Sequence, residues 1–375
     1  MAVKQHVKNP HYSYYYTTHP FLKSIDGIAI EVLVDSYNHR DKKAPYQAKI
    51  TRGANAVQYY GALLFKNNIR CPDNVTVVFA NGVSDRTEVF KLSAANYNYV
   101  SKLTDKNNTD KRKMEDRSFE GLTTILADSI GYISIPQMYS YTKSGEIKDF
   151  ITNTFKQFAT TKAVVIDIRN NPGGTRDILQ TFAAYIVQPE QTPWIANVAY
   201  LRTDKQLFGD ENSMGSRYLY SYNSKQLSDK DRSAIDTFNI NYNPQKTVTS
   251  SKFSSPFYMV LHSGKDVYTK PIYILVNENS FSAATVFTSA FKGLPNVKIV
   301  GETTDGSSGN SIKMNLKNSN ISIKLSTMLS FQRNGKTLDG NGTLPDIHIP
   351  ADEKQILEGV DSQLLTLVKR LNTSK

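Results

Sequence analysis

A serine at position 282 and a glycine pair at 173 and 174 are, by type and spacing, the residues of this chain best suited to chemistry. Ser282 follows a short apolar run at 272–276 (IYILV) and a polar turn at 277–280 (NENS). After it come Ala283 and Ala284, then Val286, Phe287 and Ala290 at helical spacing. A short β-branched run suits a strand buried on both faces, and the segment beyond it suits a helix. A serine at such a handover meets unpaired backbone N–H groups and the positive end of a helix dipole, both of which favour developing negative charge. An acyl-transfer enzyme holds its nucleophile in that setting; the plainer reading is a helix N-cap. Asn171-Pro172-Gly173-Gly174 closes a second buried-strand pattern, 163–169 (AVVIDIR), ahead of a helix expected over 178–187. Glycines there permit conformations that turn N–H groups outward, as an oxyanion hole or a phosphate cradle requires. Neither GxGxxG nor GxxxxGK[ST] occurs, which argues against the phosphate use.

The elements that must position these turns read as a mixed α/β chain. A strand at 131–135 ends at Pro136, an amphipathic helix follows over 146–158, and a further strand is expected at 297–301. Segments 312–316 and 321–325 alternate polar and apolar residues as a hairpin, and the chain closes with an amphipathic helix over 356–371. Nearer the N-terminus, a strand is expected at 28–34, a helix at 54–66, and a hairpin pairing 75–79 with 88–92. Residues 102–117 are charged and lack apolar periodicity, so they read as an exposed linker. The expected division is an N-terminal β-rich module, 1–115, and a core domain, 116–375, with an aromatic insertion at 190–270.

Bulk properties narrow the classes. A chain of 375 residues has room for two or three modest domains. The net charge of +11 is weighted toward the N-terminal module, but its lysines are scattered among Asn, Ser and Tyr and no nucleic-acid motif accompanies them. No window approaches the roughly 18 apolar residues of a membrane span. The first residues contain no apolar core of a secretory signal; a secreted or periplasmic location is expected if such a signal has been removed. The single cysteine, Cys71, excludes an internal disulfide or a Cys-based zinc site and is expected to be a buried structural thiol. There is no HExxH and the histidines are isolated, so neither a metal nor another cofactor is expected.

Taken in order, five segments form a pattern. They are Gly131-Tyr132-Ile133 with Pro136; Asp167 to Gly174 (DIRNNPGG); Ser280-Phe281-Ser282-Ala283-Ala284; Gly301 to Gly306 (GETTDG); and Asp339 to Ile347 (DGNGTLPDI). The set resembles the S41 serine peptidases, the C-terminal processing peptidases, tricorn core protease and chlamydial protease-like activity factor, over residues 120–370. The resemblance implies a ClpP/crotonase-like β-β-α core, a degenerate PDZ-like N-terminal module and protein or peptide substrates. It further implies Ser282 as nucleophile, with an oxyanion hole made by the Ala283 N–H and that of Gly173 or Gly174. The lysine that the processing peptidases use is missing: Ser307-Ser308-Gly309 stands there, and Lys313 falls in an expected strand. The tricorn and chlamydial branch implies instead a histidine from far upstream. His11, in Asn9-Pro10-His11-Tyr12-Ser13-Tyr14, fits that segment, with His19 and His262 as the other candidates. The acidic partner aligns with Asp339, which reads equally as an Asp-Gly turn residue. Two other classes remain open: a non-enzymatic binder of an apolar ligand or peptide, and an acyl-CoA enzyme, for which no basic pocket is readable. Homo-oligomerisation is also left open.

Overall fold

The structure, a computed structural model, describes residues 3–5, 12–37, 43–91, 119–142, 145–203 and 211–373. By contacts the chain divides into two units: residues 1–42, 49–120 and 350–375, and residues 43–48 and 121–349.

In the first unit, β1 (Val3–Gln5) pairs with β2 (Tyr12–Tyr14). An antiparallel sheet of order β4-β3-β5-β6 contains β3 (Phe21–Ile25), β4 (Ile28–Ala29), β5 (Asn74–Ala80) and β6 (Asp85–Lys91). Period-two alternation turns Val75, Val77 and Phe79 of β5 onto one face, where they pack with Ile25, Leu33, Tyr60 and Leu64. The hairpin expected from 75–79 and 88–92 forms over the described residues 74–91. The 28–34 strand does not: it stops after Ala29, and Val32–Ser36 coils into a π-helical turn. Leu33 and Val34 are both buried, and a strand cannot bury two successive side chains on one face. The helix expected at 54–66 is α1 (Tyr46–Ala56) and α2 (Tyr60–Lys66), separated by a 3₁₀ turn at Val57–Tyr59. Cys71, expected inside, is exposed, in the irregular segment between α2 and β5. The linker at 102–117 lies outside the described residues.

The second unit is built on a six-stranded sheet of order β18-β14-β13-β9-β8-β7. Its strands are β7 (Thr123–Leu126), β8 (Ile130–Ser134), β9 (Ala163–Asp167), β13 (Ile272–Val276), β14 (Val297–Gly301) and β18 (Ile347–His348). All neighbours are parallel except the β7–β8 pair. Every residue of β9 is buried, as its unbroken apolar run requires of a strand covered on both faces. Covering helices are α3 (Glu146–Gln157), α4 (Asp177–Ile186) and, further on, α7 (Ala283–Phe291), whose nine residues are all buried. The aromatic insertion folds on its own terms. It contributes β10 (Trp194–Leu201), α5 (Glu211–Gly215), β11 (Tyr220–Ser221), α6 (Asp229–Asn241) and β12 (Phe257–Leu261). With β17 (Met328–Gln332) its strands make a second antiparallel sheet, β11-β12-β10-β17, over a core of Ile195, Val198, Leu227, Ile235, Tyr258, Val260 and Phe331. The hairpin expected at 312–325 is β15 (Ser311–Asn315) with β16 (Ser322–Ser326). The C-terminal helix, expected as one piece, is two: α8 (Glu353–Leu357) and α9 (Ser362–Thr373), interrupted at Gly359, whose φ of 70° no right-handed helix accommodates. Among the described residues no helix is long and apolar enough to cross a membrane.

Candidate active site

Four adjacent parallel strands, β8, β9, β13 and β14, deliver their C-terminal loops to one edge of the sheet, where open α/β sheets bind ligands. The loop after β9 is the Asn-Asn-Pro-Gly-Gly turn. The buried Asn171 side chain braces it: Nδ2 donates to the Ile135 carbonyl beyond β8 (2.7 Å), and Oδ1 accepts the Gly173 N–H (2.8 Å). Asn170, at φ 56°, is tied to the loop after β13, accepting from Asn277 Nδ2 (2.9 Å) and donating its N–H to Asn277 Oδ1 (2.9 Å). Ser280 Oγ donates to the Ile168 carbonyl (2.9 Å), and the Phe281 N–H to that of Asn171 (2.9 Å). The β9 and β13 loops are thus laced together directly ahead of Ser282.

Ser282 has φ 55° and ψ −119°, outside the regions that non-glycine residues ordinarily occupy. Such a conformation costs of order 1–3 kcal/mol and persists only where its surroundings hold it. Here its N–H donates to the Ser307 carbonyl (3.0 Å), and Gly173 closes the other side. A Cβ on Gly173 would stand 2.6 Å from Ser282 Cβ, 2.8 Å from the Phe281 oxygen and 2.9 Å from the Ala283 nitrogen. Gly173 also has φ +90°, so both space and conformation demand glycine. The Ser282 side chain, although at the helix N-terminus, makes no capping hydrogen bond, and its hydroxyl has no hydrogen-bond partner among the described residues. The Ala283 and Gly174 N–H groups likewise have no internal acceptor there, whereas the Gly173 N–H is occupied by Asn171. Gly174 is exposed at φ 144°, and a Cβ on it would stand 2.0 Å from the Met138 carbonyl oxygen.

The loop after β14 completes the frame. Asp305 donates its N–H to the Ser280 carbonyl (3.2 Å), and Thr304 Oγ1 meets Thr285 Oγ1 of α7 (2.5 Å) while accepting the Thr343 N–H (2.9 Å). The same peptide group whose Ser307 carbonyl accepts from Ser282 donates its Ser308 N–H to Asp339 Oδ1 (3.3 Å). One amide therefore separates the two, which puts the Asp339 carboxylate within roughly 9 Å of the Ser282 nitrogen. Asp339 is exposed as a residue, but desolvation of its carboxyl raises its pKa above the usual range, with the Ser308 N–H acting in the opposite direction.

Residues 129–349, more than half of the chain, match the family model Peptidase family S41. The chain belongs to peptidase family S41. Among curated relatives, a probable CtpA-like serine protease of Staphylococcus aureus (strain N315) is 26% identical over 228 residues, 61% of this chain and 35% of that protein. A probable CtpA-like serine protease of Staphylococcus haemolyticus (strain JCSC1435) is 24% identical over 296 residues, 77% of this chain and 48% of that one. The chain thus spans between about a third and a half of the length of these relatives. Mature CPAF superposes with a TM-score of 0.58 at 16% identity, covering 100% of this chain and 82% of that one, a likeness of fold.

Of the six histidines in this chain, His6, His11 and His39 lie outside the described residues. The other three are engaged elsewhere. His19 contacts Thr18 Oγ1 and Ser84 Oγ (both 3.1 Å), His262 Nε2 pairs with Asp231 Oδ1 (2.7 Å), and His348 Nε2 with Glu302 Oε2 (2.9 Å). Asp231 also closes the capping box of α6 with Ser228, a structural duty independent of the Ser282 loop. Lys313 lies in a strand, β15, as expected, and is exposed. Sequence reasoning missed Asn170, Asn171, Asn277 and Ser280 as the lacing of the site. The available signal was the repeated Asn ahead of each turn, since Asn tolerates left-handed backbone and bonds to its own loop.

Proposed function

We propose that this chain hydrolyses peptide bonds in protein or peptide substrates through an acyl-enzyme on Ser282. The observation that carries the reading is the strained Ser282 at the head of α7, its hydroxyl unengaged and Gly173 packed against its Cβ. Membership of the S41 family and the serine-protease names of its relatives support it. The Ala283 N–H and the Gly174 N–H serve as oxyanion donors; the engagement of the Gly173 N–H by Asn171 favours Gly174 of the two glycines. Removing one such donor typically costs about 10²–10³ in rate.

His11 is the general base. All three described histidines have other partners, and no described lysine bonds to Ser282, which leaves the upstream histidine of the tricorn-like pattern. Asp339, one peptide group from the Ser282 amide, orients and stabilises the imidazolium. His11 takes the Ser282 proton, the alkoxide attacks the carbonyl, and the proton passes to the leaving amine; water then resolves the acyl-enzyme by the same route. The second unit is read as a ClpP/crotonase-like core, which its parallel sheet supports, and the β-rich first unit as a degenerate PDZ-like module.

The test is labelling by a neutral fluorophosphonate with the modified residue located by peptide mapping. Ser282 is expected to carry the label, Ser282→Ala to lose it with an unchanged melting temperature, and His11→Ala to label at least about 10²-fold more slowly. Labelling of wild type at another serine, or equal labelling of Ser282→Ala, refutes the nucleophile; wild-type behaviour of His11→Ala refutes the base.

A further inference from the structure

Two arginines beside the candidate site form a cluster that the chemistry above does not use. Arg176, two residues beyond Gly174 at the start of α4, is only 5% exposed. Among the described residues its one hydrogen bond runs from Nη1 to the Arg217 carbonyl, at 3.4 Å. Arg217 is half-buried and donates to neutral groups: the Ser213 carbonyl (2.6 Å), Ser216 Oγ (3.4 Å) and Asn310 Oδ1 (3.1 Å). Among the described residues neither guanidinium has a carboxylate partner. Asp177, next in the chain to Arg176, directs its carboxylate to the Tyr141 N–H and the Tyr218 hydroxyl (both 2.9 Å).

An arginine this buried without a counter-ion is rare, because uncompensated buried charge is among the costliest arrangements in a protein. The strain registers in the protonation equilibrium: burial, with the neighbouring Arg217 adding to it, pulls Arg176 down to about 9, and burial also lowers Arg217. Lysine is not interchangeable with arginine here, since the planar guanidinium grips a carboxylate through two parallel hydrogen bonds.

Both arginines are fastened to the loops that frame Ser282. Arg176 is two Cα steps, at most about 7.6 Å, from Gly174. Arg217 holds Asn310, three residues after the Ser307 that accepts the Ser282 N–H. An extended substrate advances about 3.3 Å per residue, so this pair lies within a few residues of the bond presented to Ser282.

Resting on the Ser282 reading, we infer that Arg176 and Arg217 form an anionic subsite that selects peptides presenting a carboxylate close to the scissile bond. Arg217 meets the carboxylate at the entrance and Arg176 neutralises it from the interior. The carboxylate is that of an Asp or Glu side chain or the α-carboxylate of a chain end.

The experiment uses full-length Ser282→Ala protein, so that binding is read without turnover and independently of whether Ser282 is the nucleophile. Fluorescein-labelled alanine-based octapeptides scan Glu against Gln through every position, each peptide in C-terminal acid and amide forms. Fluorescence polarisation is expected to show tighter binding of the carboxylate form by about 10–100-fold, the range for a charged hydrogen bond between partly desolvated groups. A Glu/Gln ratio confined to one position identifies a side-chain carboxylate; an acid/amide ratio identifies the chain end. Arg176→Met, made in the same protein, collapses the ratio towards one, Arg176→Lys retains part of it, and Arg217→Met reduces it. Glu/Gln ratios near one at every position, together with an acid/amide ratio near one, overturn the inference whether or not the arginine variants fold. A ratio unchanged in folded Arg176→Met and Arg217→Met overturns it equally.

Discussion

Replacing Gly173 with alanine tests the packing that defines the site more sharply than removing a reactive group does. The added methyl would stand 2.6 Å from Ser282 Cβ and within 2.9 Å of the Phe281 oxygen and the Ala283 nitrogen, closer than carbon contacts allow. Two costs combine. Holding alanine at φ +90° costs about 1–2 kcal/mol, and overpacking a well-filled region typically costs about 1–3 kcal/mol. A total near 3 kcal/mol lowers the melting temperature of a unit this size by roughly 6–12 °C. The catalytic loss is separable, because relief of the contact must move the Ser282 turn or the Ala283 amide. A displacement of about 1 Å at a reacting group costs on the order of 10²-fold, so the fluorophosphonate labelling rate is expected to fall by at least that factor. Gly121→Ala is the control: it has φ +76° but no atom within 4 Å of the added Cβ, so it bears the conformational cost alone. It is expected to lose roughly 2–8 °C and to label at the wild-type rate. Gly173→Ala protein that labels as fast as Gly121→Ala would show that Ser282 and Gly173 do not form one reacting unit.

Three further outcomes follow from the same geometry. Asn171→Ala leaves the Gly173 N–H and the Ile135 carbonyl without their internal partner, and is expected to lose about 2–4 kcal/mol in denaturant unfolding together with most labelling activity. Asp339→Asn is expected to be more stable than wild type at neutral pH yet slower to label. The raised Asp339 pKa means the folded state binds that proton more tightly, so its contribution is fully present below the unfolded carboxyl range and lost as pH rises through the folded value. The stability gap between the two proteins should therefore close on acidification below about pH 4, and a gap that widens there would contradict the assignment. Cys71, exposed and the only cysteine, should react with a maleimide or an aromatic disulfide in the native state at close to one equivalent, without a preceding unfolding phase.

What could be read from the sequence divides by the range of the forces involved. The β9 and β13 runs, the helices after them and the 311–326 hairpin were legible because their patterning is local and repeats with one period. The strand expected at 28–34 failed where Leu33 and Val34 are buried together, a demand set by the surrounding core. The C-terminal helix was read through Gly359 because its apolar spacing continues on both sides of the break. At the site, the positions of Ser282 and of the glycine turn could be anticipated. That the Gly173 N–H is engaged and the Gly174 N–H is not could not, since it depends on which N–H the Asn171 side-chain Oδ1 captures. The Arg176–Arg217 pair was invisible for a similar reason: 41 residues separate its members, and neither carries a motif.

The framing of Ser282 accounts for its strained backbone and supports the proposal that it is the reactive serine. Three loops end three neighbouring parallel strands, β9, β13 and β14, and each supplies a different constraint. The β9 loop presents Gly173 and removes the space in which the Ser282 backbone could relax. The β13 loop is tied to the β9 loop, the Phe281 N–H donating to the Asn171 carbonyl, so the turn cannot slide along the sheet. The β14 loop accepts the Ser282 N–H at Ser307 and, through the next amide, holds Asp339. A positive φ at serine survives because these constraints come from separate strands and are met together by one conformation. Loosening any one of them should relax Ser282 toward an ordinary capping geometry, with its hydroxyl turned onto the α7 N–H groups. Reactivity and local strain should therefore fall together in loop variants, and a variant that relaxes the turn while keeping full labelling would separate the two.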